Sequence, residues 1–210
     1  MRDAGRTKTR ILDAAELLFA RGGLEGASTE AIARHAGVSK TMLFYYFRNK
    51  EQLYLTVLKR VIESVMDEER TRQIDTMDPT DALRATVLDY FNVHFQRPTY
   101  AELTLREAMT YGGKYLERLR YDLPIFGQLM RIVERGTKAG VFRRVDPVKT
   151  TLSIIGMTKI FFTFREALER VWKQDVHSEE RITEWRDQMI DLLVNGVALC
   201  PEGREKPDVS

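Results

Sequence analysis

The chain has 210 residues, of which 43% are hydrophobic and 30% are charged, with a formal net charge of +2 at pH 7; this predicts one or two folded domains and excludes disorder driven by charge imbalance. The single cysteine, Cys200, excludes an internal disulfide framework and a cysteine-rich zinc site. The sequence lacks the roughly 20-residue apolar run of a membrane span and the apolar core of a secretory signal, so we expect a soluble, cytoplasmic protein without membrane contact.

Apolar residues recur at helical spacing along the chain, and strand-like alternation is scarce. In the first part of the chain, Ser28, Ser39 and Asn49 stand where a side-chain oxygen caps the start of a helix. A glycine pair at 22–23 and Gly37 stand where helices end. These signals predict four helices, over residues 7–20, 29–36, 40–47 and 50–72.

The rest of the chain repeats the same pattern. Two Asp-Pro pairs, at 78–79 and 146–147, each combine an N-cap with a proline at the first helical position. Ser178 caps the last helix. The later helices are predicted over residues 79–96, 99–111, 114–121, 123–139, 147–172 and 179–199. The chain is therefore expected to be all-α, with eight to ten helices and no sheet.

Residues 28–50 read STEAIARHAGVSKTMLFYYFRNK, which predicts two short helices joined by a tight turn. Ala33 and Ala36 are small enough for these helices to cross closely, and Gly37 adopts a turn that a larger residue resists. This is the spacing of a helix-turn-helix. Its second helix would present polar and aromatic side chains to a major groove about 12 Å wide.

Charge is distributed unevenly along the chain. Residues 1–50 carry nine Lys or Arg and five Asp or Glu, whereas residues 51–210 carry 24 and 26. A basic first quarter on a nearly neutral body favours contact with a polyanion, although a solvated basic face without a partner explains the numbers equally well. The basic segment Arg2–Arg10 is open to two interpretations, a solvated tail or an arm for the minor groove.

The pattern T-x-x-I-A-x-x-A-G-V-S, followed by L-x-Y-Y-F-x-x-K-E, resembles the DNA-binding domain of the TetR/AcrR family of bacterial transcriptional regulators. The rest of the chain resembles the family in length, in helical character and in a G-x-F-R and D-P passage at residues 140–147. The resemblance implies an N-terminal helix-turn-helix DNA-binding domain of three helices, residues 1–50, joined to a larger helical ligand-binding and dimerisation domain, residues 51–210. The matching residues are Thr29, Ile32, Ala33, Ala36, Gly37, Val38, Ser39, Leu43, Tyr45, Tyr46, Phe47, Lys50 and Glu51.

The resemblance also implies which residues contact DNA. A residue at the start of the second helix and one at the start of the fourth would bind phosphates, and the third helix would face base edges and the backbone. Three residues depart from the family pattern, namely Thr41, Met42 and Phe44, and Phe44 lacks a hydroxyl for a phosphate. Glu30 would repel a phosphate unless it faces a cytosine amine. The DNA contacts so implied are Thr29, Lys40, Thr41, Met42, Tyr45, Tyr46 and Lys50.

The last two predicted helices each carry an apolar seam at spacings of three and four residues. Such a seam packs either inside the chain or against a second copy, and the family resemblance implies a homodimer joined by a four-helix bundle. The residues assigned to this dimer interface are Leu152, Ile155, Gly156, Ile182, Trp185, Met189, Leu192 and Gly196.

Aromatic and methionine side chains at helical spacing are either ordinary core residues or the lining of a ligand pocket. The resemblance implies such a pocket in the larger domain. For Lys159, which interrupts an apolar run, we expect a salt bridge. The pocket candidates are Phe91, His94, Phe95, Tyr100, Met109, Tyr111, Phe126, Met130, Phe161 and Trp172.

The function implied is that of a homodimeric repressor that binds a double-stranded DNA operator and is released from it by a small-molecule effector. The alternatives are a helical protein-binding adaptor and a helical enzyme. The sequence contains none of the H-E-x-x-H, G-x-S-x-G or G-x-G-x-x-G motifs, and His35, His94 and His177 are far apart. We therefore expect no enzyme activity, no cofactor and no metal.

Overall fold

The structure is a computed structural model that describes residues 2–65, 67–119, 124–173, 176 and 178–199. Its described part is helical, which confirms the all-α prediction, and one isolated antiparallel bridge joins Phe142 to Ala198. His177, Cys200 and residues 66, 120, 121 and 123 of the predicted helices lie outside the described residues. The helices are α1 Arg2–Gly26, α2 Thr29–Ala36, α3 Lys40–Tyr46, α4 Lys50–Glu63, α5 Glu68–Thr76, α6 Pro79–Gln96, α7 Pro98–Tyr111, α8 Lys114–Arg118, α9 Pro124–Lys138, α10 Pro147–Trp172 and α11 Glu179–Val197.

The predicted caps of α2, α3 and α4 are confirmed. The hydroxyl oxygens of Ser28 and Ser39 each accept a hydrogen bond from a backbone N–H three residues on, at 3.1 Å. The Asn49 side chain accepts one from the N–H of Gln52 at 2.7 Å, and the Gln52 side chain accepts one from the N–H of Arg48. These bonds satisfy N–H groups that a helix start otherwise leaves unpaired.

Gly23 interrupts α1, as the glycine pair at 22–23 predicts, because its φ of 67° and ψ of −173° are not helical; a short helical stretch continues beyond this kink to Gly26. One predicted helix was wrong in extent. The helix predicted over 50–72 is two helices, α4 and α5. Asp67 caps the second of them by accepting a hydrogen bond from the N–H of Arg70 at 2.9 Å.

The chain folds into two compact units. The first, here called the head unit, comprises residues 1–66 and 93–123. It therefore contains α1 to α4 together with α7 and α8, and α7 packs on both α1 and α4. Its core is formed by fully buried side chains from several helices, among them Ile11, Phe19, Leu43 and Tyr54. Burial of such side chains removes about 25 cal/mol of unfavourable hydration for each Å² of apolar surface.

The second unit, here called the body unit, comprises residues 67–92 and 124–210. Its core includes Leu83, Phe91, Ile132, Phe142 and Ile190. The chain after α9 runs beside the end of α11, where the N–H of Arg143 bonds the Val197 carbonyl at 2.9 Å and the N–H of Leu199 bonds the Val141 carbonyl at 3.1 Å. The segment between α9 and α10 turns back tightly. It can do so because Gly136 has no side chain, so the Phe142 ring lies directly against its backbone.

Candidate functional site

The outward face of α3 carries the residues to which the family pattern assigns base contacts. Leu43 is fully buried and holds the helix on the head unit, whereas Lys40, Thr41, Met42 and Tyr45 are exposed. Tyr45 is 79% exposed although it is a large aromatic side chain. A short helix that buries one leucine and exposes this set is suited to insertion in a groove.

The other three residues assigned to DNA flank this face. Thr29 and Lys50 are the first residues of α2 and α4, and both are half-buried. The ring of Tyr46 is half-buried and meets the ring of Tyr45 edge to face, with 5.2 Å between centroids. The backbone N–H groups at the start of α2 and its dipole favour an anion beside Thr29.

Glu30 and Lys40 form an ion pair that joins the first turn of α2 to the start of α3. Sequence reasoning placed Glu30 near the DNA surface but did not identify this partner. The second carboxylate oxygen of Glu30 accepts a hydrogen bond from the Thr29 hydroxyl at 3.2 Å. The hydrogen bond from Lys40 is the main reason that the pKa of Glu30 falls to about 2.

Arg10 fixes the turn of the helix-turn-helix. Its guanidinium donates hydrogen bonds to the carbonyl oxygens of Ala36 and Gly37, the latter at 2.9 Å. Gly37 ends α2 in the left-handed conformation, with φ 63°. The first turns of α1 are helical, so Arg10 lies on a helix and binds its own head unit.

A buried carboxylate connects α4 with α7 and α8 inside the head unit. Glu107 is completely buried, and its two oxygens accept hydrogen bonds from the Tyr54 hydroxyl at 3.1 Å and from the N–H of Tyr115 at 2.6 Å. Burial is the main reason that the pKa of Tyr54 rises above its usual value, and the Glu107 carboxylate adds to it. Sequence reasoning missed this site, because its members are far apart in the chain.

Further polar contacts bind α7 and α8 to α1 and α4, the helices on either side of the helix-turn-helix. The N–H of Leu24 donates a hydrogen bond to the Tyr111 hydroxyl at 2.9 Å, and Arg118 forms an ion pair with Glu51 at 2.6 Å. The Thr99 hydroxyl donates to the Glu16 carboxylate at 2.7 Å. These contacts attach the two helices that flank the helix-turn-helix to residues at least 67 positions further along the chain.

The body unit exposes an apolar face on α10 and α11. Leu192 is 57% exposed on this face, and Leu152, Ile160 and Trp185 are exposed with it. The seam predicted for dimerisation divides between two sides of the helices. Leu152, Trp185, Leu192 and Gly196 are exposed and Ile155 and Gly156 are half-buried, whereas Ile182 and Met189 face the core of the body unit instead.

A cavity of about 410 Å³ lies between α6, α10 and α11 in the body unit. Gln188 is its one polar lining residue among the described residues. Its buried wall includes Phe91, Phe161 and Met189, and its exposed wall belongs to the apolar face. The full lining is Phe91, Met157, Ile160, Phe161, Phe164, Leu168, Trp172, Trp185, Gln188, Met189 and Leu192.

The pocket candidates from the sequence are dispersed. Phe91, Phe161 and Trp172 line the cavity, whereas Phe126 and Met130 are half-buried on α9 and do not. The other five belong to the head unit: Phe95 and Met109 are exposed, Tyr111 binds Leu24, and the rings of His94 and Tyr100 are buried edge to face with 5.1 Å between centroids.

In α10, burial lowers the pKa of Lys159 to about 8.

Among the described residues, none of the helices combines the length and the apolar composition that a bilayer crossing requires. The family model described as bacterial regulatory proteins, tetR family, matches residues 11–57. The model described as tetracyclin repressor-like, C-terminal domain, matches residues 79–193, which is more than half of the chain.

Individual proteins agree with these models. The chain is 28% identical over 200 residues to the HTH-type transcriptional repressor NicS of Pseudomonas putida, covering 92% of this chain and 93% of NicS. The crystal structure of the transcriptional regulator SCO4942 from Streptomyces coelicolor is 26% identical, with a TM-score of 0.68 over 91% of this chain and 98% of that one. AibR, crystallised with isovaleryl coenzyme A and operator DNA, shares the fold at 19% identity, with a TM-score of 0.70 over 90% and 98%. The chain therefore belongs to the tetR family of bacterial regulatory proteins and is a DNA-binding transcriptional regulator.

Proposed function

We propose that this regulator is a homodimeric repressor that places two α3 helices in successive major grooves of an operator. The observation that carries the proposal is the outward face of α3, where Tyr45 and Met42 stay exposed while Leu43 holds the helix in place. In this proposal residues 1–50 contact DNA and residues 51–210 carry dimerisation and effector binding. Since its target is the chromosome, we place the protein in the cytoplasm.

The DNA contacts divide into two kinds. Thr41 and Met42 meet base edges and so select the sequence, because the major groove distinguishes all four base pairs, and Lys40 beside them binds a phosphate. Thr29 and Lys50 bind phosphates, and Tyr45 and Tyr46 touch the backbone or a thymine methyl group. Phosphate contacts supply much of the affinity and make it dependent on salt, whereas base contacts supply the specificity.

The exposed apolar face of α10 and α11 supports the homodimer. Contiguous exposed apolar surface on a protein marks an interaction site, and a symmetric dimer uses the same surface of both copies. Leu152, Trp185, Leu192 and Gly196 form the centre of the proposed interface. Gly196 has no side chain, so a helix of the second copy can approach closely at this point. Two copies also present the two recognition helices that an operator with two half-sites requires.

The cavity of the body unit is the proposed effector site. Apolar cavities with few polar groups are the usual form of small-molecule sites, and Phe91 and Phe161 form the buried wall of this one. The fold neighbour AibR was crystallised with a coenzyme A thioester and operator DNA. An effector that stabilises the DNA-free conformation by about 1–3 kcal/mol lowers operator affinity roughly 5- to 150-fold.

The test is selection of genomic fragments with the purified full-length chain, followed by a screen for compounds that release them. We expect recovered fragments to share an inverted repeat, and we expect binding to weaken steeply as the salt concentration rises. Recovery without a shared sequence would contradict the proposal, and the absence of salt-dependent DNA binding would favour a protein-binding adaptor.

A further inference from the structure

Glu30 binds two of the side chains that the proposed function assigns to DNA. One carboxylate oxygen pairs with the Lys40 ammonium, and the other accepts the Thr29 hydroxyl at 3.2 Å. The Lys40 nitrogen also lies 5.9 Å from the centre of the Phe44 ring, one turn further along α3. Lys40 is therefore held between α2 and its own helix when no DNA is bound.

We propose that Glu30 is a specificity-determining residue, whose carboxylate competes with DNA phosphates for Lys40 and Thr29. The inference rests on the proposed insertion of α3 in the major groove. Both members of the ion pair are more than half exposed, 62% for the Glu30 side chain and 52% for that of Lys40, so DNA can reach and replace the contact.

The competition affects random DNA more than the operator. Binding to random sequences comes almost entirely from cations that meet phosphates, so one engaged lysine and one added carboxylate remove a large share of it. On the operator, base contacts fix the register of α3 and hold a phosphate where Lys40 can exchange partners. Exposed ion pairs are weak, and a well-placed phosphate displaces the carboxylate. Glu30 thus widens the difference between the two affinities.

The decisive variant is Glu30→Gln in the full-length chain, measured on two duplexes of equal length. One is the sequence selected by the protein from a random pool, and the other is a scrambled copy. Affinities are measured from about 0.05 to 0.2 M salt. For the scrambled duplex we expect about three- to tenfold tighter binding and a salt slope steeper by about one unit, since Lys40 is released to a phosphate. The selected duplex should gain less than about twofold, so discrimination falls.

The matched control is Glu63→Gln. Glu63 pairs with Lys59 at 3.6 Å, is similarly exposed and lies at the end of α4, so the variant changes net charge equally without touching Lys40. Equal effects of the two variants would overturn the inference, because net charge alone would then explain them. The same conclusion follows if Glu30→Gln acts equally in a Lys40→Gln background, or if it changes preference at a single base pair, which would make Glu30 a base-reading residue.

Lys40→Gln alone separates failure of this inference from failure of the proposed DNA surface. If this variant binds both duplexes as tightly as the parent chain, the assignment of α3 to DNA is wrong. If Lys40→Gln weakens binding and Glu30→Gln has no effect, only the competition by Glu30 is overturned.

Discussion

Arg10 in α1 donates a hydrogen bond to the carbonyl oxygen of Gly37 at 2.9 Å, across 27 residues of chain. The last carbonyls of a helix lack partners in the helix and carry partial negative charge, so a guanidinium is a favourable partner for them. Arg10 binds the carbonyl of Ala36, the last residue of α2, and that of Gly37, the residue after it. It thereby holds the turn between α2 and α3 against α1, which fixes the direction in which α3 follows α2.

Replacing Gly37 by alanine tests the contact between Arg10 and this turn. A residue with a side chain at a left-handed position costs about 1–2 kcal/mol, and the added Cβ would stand 2.5 Å from the Arg10 guanidinium. We expect Gly37→Ala to lose about 1 kcal/mol more stability than Gly112→Ala, which has φ 60° and open space around the new Cβ. Urea unfolding measures both. Equal losses, or a difference that persists in an Arg10→Ala background, would show that Arg10 has no part in the effect.

Tyr54→Phe tests the buried carboxylate. The variant removes the hydroxyl that donates to Glu107 and leaves the ring contacts with Phe19 and Tyr115 in place. Because a buried acceptor then lacks one donor, we expect a loss of about 1–3 kcal/mol in the free energy of unfolding, measured with urea. Tyr45→Phe, at an exposed site, is the control and should leave stability unchanged. A Tyr54→Phe chain as stable as the parent would contradict the assigned bond.

Alkaline pH should destabilise the protein. Burial raises the pKa of Tyr100 to about 12, and it raises the pKa of Tyr54 as well. The folded chain keeps these protons at pH values where the unfolded chain loses them, so the stabilisation is complete below about pH 10 and is lost as the pH rises from there. The loss is up to about 1.4 kcal/mol per pH unit for each buried tyrosine. In urea titrations from pH 9 to 11.5, Tyr100→Phe should flatten this decline, and an unchanged decline would contradict the assigned effect of burial.

Lys50→Ala tests the proposed phosphate contact at the start of α4. The lysine follows the Asn49 cap, at a helix end whose dipole disfavours a cation, so an external anion is its natural partner. We expect weaker binding to all DNA sequences and a salt slope smaller by about one unit. Lys59→Ala removes the same charge further along α4 and should change the slope less. If Lys50→Ala alters base preference, Lys50 contacts a base and the phosphate assignment is wrong.

Leu192→Glu tests the proposed dimer. The residue is 57% exposed at the centre of the apolar face of α11, so a charge there should not unfold the chain but should prevent a second copy from packing on it. Sedimentation equilibrium should change from dimer to monomer. Asn195→Glu adds the same charge less than one turn away, beside Asp191, and should leave the assembly intact. A dimer that survives Leu192→Glu would place the interface elsewhere.

Local sequence signals were sufficient to predict where the helices around the predicted DNA surface begin. Ser28, Ser39 and Asn49 cap their helices as predicted, because an N-cap bond spans only three residues. The break between α4 and α5 was missed even though Asp67 is also a cap. The apolar spacing of the preceding residues continued to Val65 and concealed it.

Contacts between distant segments could not be predicted in the same way. Tyr54 and Glu107 are 53 residues apart, and neither the tyrosine nor the glutamate has a distinctive local pattern. The seam of α11 shows a second limit of periodicity. A stripe of apolar residues spaced by three and four positions is wide enough to face both the core and the solvent. Ile182 therefore turns to the core while Leu192 faces outward.

Because α7 and α8 belong to the head unit, they affect where DNA-binding segments can be exchanged between regulators of this kind. The helix-turn-helix has its own cap bonds, but Glu16 and Leu24 of the preceding helix α1 form hydrogen bonds with Thr99 and Tyr111 of α7. A chimera that grafts only residues 1–50 onto a foreign scaffold would leave these groups facing an unmatched surface. Exchange of operator preference between relatives therefore requires either transfer of the α7 surface together with the reading helix, or substitutions confined to the outward side chains of α3.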